Sequence, residues 1–171
     1  MQALNIAPAT DGPAGMVGQV LVVDDSPTIL KVVKLVLSKA GYDVHIASDG
    51  DEGVELAQQT HPDLILLDFV MPRMNGYQVC RALHEESDLA DVPVVLMSAK
   101  GEQVGDRFVK VMGIVDYVTK PFSPEVILSV VEHTLQKAAE KSAEQQSASA
   151  LLPELSAEEV FNAADAASEQ R

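Results

Sequence analysis

A single cysteine, no tryptophan and an aromatic content of 4% are the first things this 171-residue chain goes without. Because Cys80 stands alone, no internal disulfide can form, and a reducing compartment suits the chain. A core must then be aliphatic, and the 47% of hydrophobic residues are ample for one. Basic residues are also scarce. Twelve Lys and Arg against 26 Asp and Glu leave a net charge of −14, which argues against contact with a phosphate backbone and so against direct nucleic-acid binding. No apolar run approaches the ~20 residues that span a bilayer, so no membrane insertion is expected. The N-terminus lacks the basic start and apolar stretch of a secretion signal. A soluble, cytoplasmic protein is the expectation. His45, His61, His84 and His133 share no metal-ligand spacing and are assigned no chemistry.

What the chain does have is a set of short apolar runs, each ending in a polar group. Val20-Leu21-Val22-Val23 ends in Asp24-Asp25, and Leu64-Ile65-Leu66-Leu67 ends in Asp68. Val94-Val95-Leu96-Met97 ends in Ser98, and Val115 to Thr119 ends in Lys120-Pro121. Open parallel sheets place their functional groups at the carboxyl ends of strands. Three carboxylates, a hydroxyl and an ammonium converging on one edge suit a divalent cation and a phosphoryl group. Asp68 is the most informative of these residues, and the chemistry reads as phosphate on an aspartate.

The chain divides into three parts. Residues 1–18, rich in Ala, Pro and Gly without an apolar period, should form a disordered arm. Residues 19–137 alternate strand-like runs with helical periods and should form one domain. Ile29, Val32, Val33, Val36 and Leu37 mark one face of a first helix, and Gly41 follows as a stop. A second strand is expected at Val44 to Ala47 and a second helix from Asp51 to Gln59. A third helix, from about Gly76 to Glu86, should bury Val79, Cys80 and Leu83. A fourth carries Val104, Phe108 and Val111. A fifth starts at Ser123-Pro124, a cap followed by Pro at the first helical position, and packs Ile127, Val130, Val131 and Leu135. Residues 138–171, rich in Ala, Ser, Gln and Glu, read as an acidic linker or weak helix. Within them Ser156-Ala157-Glu158-Glu159 has the form of a capping box, so a short helix over 156–167 is expected when docked, with Leu151, Leu152, Leu155 and Phe161 as anchors. A disordered linker to a further domain is the competing reading.

Five βα units with near-continuous apolar strands predict a three-layer, doubly wound α/β fold with helices on both faces of a parallel sheet. At this size the flavodoxin-like order 2-1-3-4-5 is expected, with its switch point between strands 1 and 3, where Asp24, Asp25 and Asp68 would meet. Each residue alone has a plainer use. An Asp after a strand is often a helix N-cap, although Ser26 and Pro27 already serve as cap and first turn. Asp68 could open a turn before Met71-Pro72 and Asn75-Gly76. Ser98 alone suits a cap and Lys120 alone a surface, and Cys80 and Met97 look like core. The joint pattern of four strand ends favours a site.

Val-Val-Asp24-Asp25-Ser, Leu-Asp68-Phe-Val-Met71-Pro72-Arg-Met-Asn-Gly76, Met-Ser98-Ala99-Lys and Asp-Tyr117-Val-Thr-Lys120-Pro121-Phe122 together resemble the receiver domain of two-component response regulators. The likeness covers about residues 19–137 and supplies the strand order, which hydropathy alone does not derive. It implies that Asp68 accepts a phosphoryl group from a phosphohistidine on a histidine kinase or phosphotransfer protein. It implies Mg²⁺ held directly by Asp25, Asp68 and the Val70 backbone carbonyl, with Asp24 acting largely through water. The metal answers a physical need, because three packed carboxylates repel and raise one another's pKa. Lys120 and Ser98 would contact phosphoryl oxygens beside backbone N–H groups near Val70 and Ala99. Ser98 and Tyr117 would be the switch, Ser98 moving toward the phosphoryl group and Tyr117 turning inward. The readout would be a protein target on the face of the fourth helix, fifth strand and fifth helix, around Lys100, Arg107, Lys110 and Tyr117, with a homodimer on phosphorylation as a further outcome.

The expected function is therefore a phosphorelay switch acting by protein contact, not an enzyme beyond its own phosphoryl transfer and dephosphorylation. The alternative is the receiver part of a longer regulator. An aspartate-nucleophile phosphohydrolase would place its nucleophile after the first strand in an Asp-x-Asp pattern, whereas here adjacent acids end that strand. A flavin-binding domain would want a Ser/Thr/Gly phosphate loop there.

Overall fold

The computed structural model describes residues 17–99, 109–110 and 112–151, with side chains placed through Ser147. Strands β1 (Gln19–Val23), β2 (Asp43–Ala47), β3 (Leu64–Asp68), β4 (Val94–Ala99) and β5 (Ile114–Lys120) form one parallel sheet in the order β2-β1-β3-β4-β5. Helices α1 (Pro27–Lys39), α2 (Gly50–Thr60) and α3 (Gly76–Glu85) follow the first three strands, and α4 (Pro124–Leu151) follows β5. The fold class and strand order are those expected. The fourth helical period lies mostly outside the described residues, including Val104, Phe108 and Val111; Val109 and Lys110 are helical. The fifth period is α4.

The two-residue repeat of each strand separates two cores. Val20, Val22, Leu64, Leu66, Val95 and Met97 face α1 and the first half of α4, through Leu30, Val33, Leu37, Ile127 and Val131. Leu21, Val23, Ile65, Leu67 and Leu96 face α2 and α3, through Ala57, Val79, Cys80 and Leu83. Because both faces are covered, β3 is buried at every residue, and its sequence cannot alternate. Burial also pushes the Cys80 thiol up to about 12, so this cysteine is packing material.

Local signals set most helix starts. The Ser26 hydroxyl accepts from the Ile29 N–H at 3.4 Å, with Pro27 at the first helical position. Asp49 caps α2 by accepting from Glu52 N–H at 2.9 Å. Asn75, expected only as a turn residue, forms a reciprocal capping box with Gln78 on α3. One face needs correction. Val32 is 41% exposed, and the buried stripe of α1 is Leu30, Val33 and Leu37, with Ile29 and Val36 at its margins. The 29/32/33/36/37 spacing was one register choice among neighbours; packing selected the stripe one residue round.

The N-terminal boundary shifts. Val17 and Gly18, placed in the N-terminal arm by composition, are already tied to the domain: Val17 N–H donates to Gly41 O at 3.0 Å and Gly18 O accepts from Asp43 N–H at 2.9 Å. The chain divides between Gln136 and Lys137. In the second unit α4 continues to Leu151, the helical one of the two readings given for this stretch. From Lys137 to Ser147 the side chains are exposed except for the half-buried Ala138. This stretch has no apolar stripe, and its Ala, Glu, Gln and Lys are strong helix formers that need none to favour the conformation. The helix expected over 156–167 lies outside the described residues.

Close packing of α2 on β1 gives a test of the fold. A Cβ on Gly53 would lie 2.8 Å from the Val23 side chain, itself fully buried. Ala at this helical position should gain about 1 kcal/mol of helix propensity and lose about 1–3 kcal/mol to overpacking. Gly53→Ala should therefore lower the urea midpoint, whereas a higher midpoint would mean that the two elements are not in contact there.

Candidate functional site

The carboxyl edge of the sheet gathers the polar strand ends. Asp24 directly follows β1, and its N–H donates to Ala47 O at 3.1 Å, extending the β1–β2 pairing by one residue. That fixes its carboxylate inward, where it is fully buried. One oxygen, Oδ1, accepts from the Ser26 N–H at 2.8 Å, and Oδ2 accepts from Lys120 Nζ at 2.7 Å. Asp25, the next residue, is exposed yet turns its carboxylate toward the same cluster. Asp68 closes β3 and is 5% exposed; its Oδ1 lies 3.3 Å from the same Lys120 Nζ. One carboxylate oxygen from each of Asp24, Asp25 and Asp68 lies within 4.8 Å of the others.

The remaining expected residues are placed as follows. Lys120 ends β5, opposite Ala99 of β4, and a cis peptide bond joins it to Pro121. Ser98 is buried near the end of β4, the strand between those of Asp68 and Lys120. Val70 follows β3 with its side chain 57% exposed, and Ala99 is exposed. Tyr117, on β5, is 64% exposed and so turned outward. Lys110 is exposed, while Lys100 and Arg107 lie outside the described residues.

Electrostatics follow from this crowding. Burial, then the charge of Asp24, pushes the Asp68 carboxyl up to about 6, against the opposing pull of Lys120. For Lys120, burial works to lower the pKa, but hydrogen bonding and charge from Asp24 and Asp68 outweigh it and the pKa is raised. One ammonium thus sits among three acids and leaves an excess of negative charge. The donors facing that excess are carboxylate oxygens, the set preferred by hard cations such as Mg²⁺. The residues therefore fit a divalent cation at Asp24, Asp25 and Asp68.

Two features of the site were not anticipated from sequence. The expected partner of Lys120 was a phosphoryl oxygen, and here its ammonium bridges Asp24 and Asp68. The loop after β3 is also more organised than a turn signal implies. Gly76 N–H donates to Phe69 O at 2.9 Å, and a Cβ on Gly76 would come within 3.0 Å of the Asp68 carbonyl oxygen and Phe69 Cα. Only glycine allows the start of α3 to pack this closely on the backbone of the acid. The Asn-Gly pair at 75–76 was the available signal.

Comparison with known proteins bears on the same residues. Residues 20–132 match the family model described as "Response regulator receiver domain". The chain is 41% identical over 120 residues to the DNA-binding dual master transcriptional regulator RpaA of Synechocystis sp., covering 70% of this chain and 49% of that protein. It is 37% identical over 117 residues to protein PilH of Pseudomonas aeruginosa, covering 68% of this chain and 97% of that protein. The chain spans about half the length of most of the curated relatives it matches, of which PilH is an exception. Among solved structures, chemotaxis protein CheY4 of Vibrio cholerae superposes with a TM-score of 0.63 at 32% identity, covering 67% of this chain and 96% of that one. Among the described residues no helix is long and apolar enough to cross a membrane.

The raised acid sets a pH dependence with a definite sign. Asp68 binds its proton more tightly folded (about 6) than at its ordinary value of 3.8. The associated stability is fully present below about pH 4 and is lost as pH rises through about 6, on the order of 2–3 kcal/mol. In metal-free protein, Asp68→Asn should therefore be more stable than the parent above pH 6 and should converge with it below pH 4. Urea titrations across that range decide the matter; a pH-independent difference would mean that Asp68 is not strained by its neighbours.

Proposed function

The chain belongs to the response regulator receiver domain family, and on that premise we propose that Asp68 is the phosphoacceptor of a two-component phosphorelay. Members of this family are signalling switches rather than metabolic enzymes. The observation that carries the reading is the single ammonium of Lys120 within 2.7 Å of Asp24 and 3.3 Å of Asp68, in a cluster whose third acid, Asp25, is open to solvent. Asp68 attacks the phosphorus of a phosphohistidine on a histidine kinase or phosphotransfer protein. A P–O bond forms and the P–N bond breaks, its electron pair staying with the imidazole nitrogen. With the other ring nitrogen protonated, the imidazole leaves neutral.

Mg²⁺ would be held by Asp25, Asp68 and the Val70 backbone carbonyl, with Asp24 largely through water; when bound it neutralises charge and polarises the phosphoryl oxygens. Lys120 then moves its hydrogen bonds from the two acids to a phosphoryl oxygen, as a point charge on a flexible stem. Ser98, buried on the intervening strand, donates its hydroxyl to another oxygen, and the Val70 and Ala99 backbone supplies further donors. Drawing Ser98 toward the phosphate leaves space into which Tyr117, outward here, turns. The face of β5 and its flanking helices, including Lys110 and Tyr117, thereby presents a changed surface to a protein target.

The output is a protein contact made in the cytoplasm, either by this chain alone or as the receiver part of a longer regulator. Relatives of both lengths carry the matching segment: it makes up 49% of RpaA and 97% of PilH.

Incubation with acetyl phosphate and Mg²⁺ should add one phosphoryl group by intact mass, and Asp68→Asn should add none. Labelling of the variant to the same extent would overturn the assignment. Size-exclusion chromatography of the same samples reports whether phosphorylation makes a dimer. For the cation, Asp25→Ala should weaken Mg²⁺ binding more than Asp24→Ala, and Lys120→Ala should keep Mg²⁺ binding while losing signalling. Equal Mg²⁺ affinity in the parent and Asp25→Ala, measured by titration calorimetry, would refute the ligand set.

A further inference from the structure

Between the acid cluster and the start of α2 lies an ion pair that the phosphoacceptor reading does not use. Arg73 has φ of +67°, the left-handed region that costs a non-glycine residue about 1 kcal/mol or more. It is the centre of a tight turn in which Met74 N–H donates to Pro72 O at 2.8 Å. Its Nη2 donates to Asp49 Oδ2 at 3.1 Å, while Asp49 Oδ1 holds the first turn of α2 through the Glu52 N–H.

Both ends of this pair lead to the cluster. Asp49 is two residues beyond Ala47, whose carbonyl holds the Asp24 N–H. Arg73 is three residues beyond Val70, on the loop that Gly76 N–H closes onto Phe69 O. Below the pair the loops already touch: a Cβ on Gly50 would sit 2.9 Å from Met74 Cβ. The ion pair is thus a strap across the top of that contact, joining the segment that positions Asp24 to the loop that carries Val70.

We propose that Arg73 is a positioning residue: its bond to Asp49 holds the loop after β3 against the start of α2 and so fixes the Val70 backbone beside Asp68 for the divalent cation. The inference rests on the cation reading above. It accounts for an arginine where glycine would relieve the backbone. The guanidinium is 72% exposed and Asp49 27%, so the strap is of the weak, salt-sensitive kind.

The strap and the backbone strain make opposite demands, and that separates a positioning role from a merely structural one. Arg73→Gly should leave the thermal midpoint unchanged or higher, because strain is relieved, and yet weaken Mg²⁺ binding about two- to fivefold, the range of an exposed ion pair. Asp49→Asn, which keeps the α2 cap, should weaken Mg²⁺ binding by a similar factor, and the double variant should be no weaker than either. In the metal-free protein, hydrogen exchange at Met74 and Gly76 should quicken in both single variants. Unchanged exchange at those amides overturns the strap whatever happens to Mg²⁺. Quickened exchange with unchanged Mg²⁺ affinity overturns the positioning role, and loss of Mg²⁺ binding in the parent chain overturns the cation reading instead.

Discussion

Bringing carboxylates out of water at the edge of a parallel sheet is the constraint on which this structure turns. Asp24 is fully buried and Asp68 nearly so, and they share one ammonium. A buried anion is tolerated only with a partner and hydrogen bonds that replace water. Asp24 has both, from Ser26 N–H and Lys120. Asp68 has a longer contact to the same ammonium and is the acid whose pKa rises. The charge imbalance thus falls on Asp68, the proposed phosphoacceptor.

The rest of the fold serves that edge. Parallel strands point their carboxyl ends the same way, so residues far apart in sequence meet without any local motif. The order β2-β1-β3-β4-β5 puts β1 beside β3 and β4 between β3 and β5, which assembles Asp24, Asp68, Ser98 and Lys120 along one rim. Covering both faces with helices buries the strands and leaves side chains such as Tyr117 outside the two cores. Gly76 and the capping box at Asn75 press the start of α3 onto the Asp68 backbone, so the β3 loop is short of freedom before any ligand binds.

Strand ends were legible in the sequence because an apolar run stopped by a polar residue is plain to read; their joint pattern pointed to one site, and the family likeness supplied the strand order. The helix faces were less so: the stripe through Val32 and the buried one through Leu30 both contain Val33 and Leu37, and only packing against Val20 and Val22 decides between them. The length of α4 escaped because periodicity detects helices that bury a stripe, and Lys137–Ser147 buries none. Arg73 escaped for a different reason. Nothing in Pro72-Arg73-Met74 announces a positive φ, which L-residues avoid, and its partner Asp49 lies 24 positions away on another loop. Likewise, the bridge from Lys120 to both acids in the resting site is a three-body contact that no spacing encodes.

The central claim is that this crowding selects one carboxylate, Asp68, for phosphorylation. Acyl phosphates are reduced by borohydride to the alcohol, so an aspartyl phosphate becomes homoserine at the modified position. After treatment with a phosphodonor and Mg²⁺, peptide mapping of the reduced chain should find homoserine at position 68 and retain aspartate at Asp24 and Asp25. Homoserine at position 24 or 25, or at none of the three in a phosphorylated sample, would contradict the account.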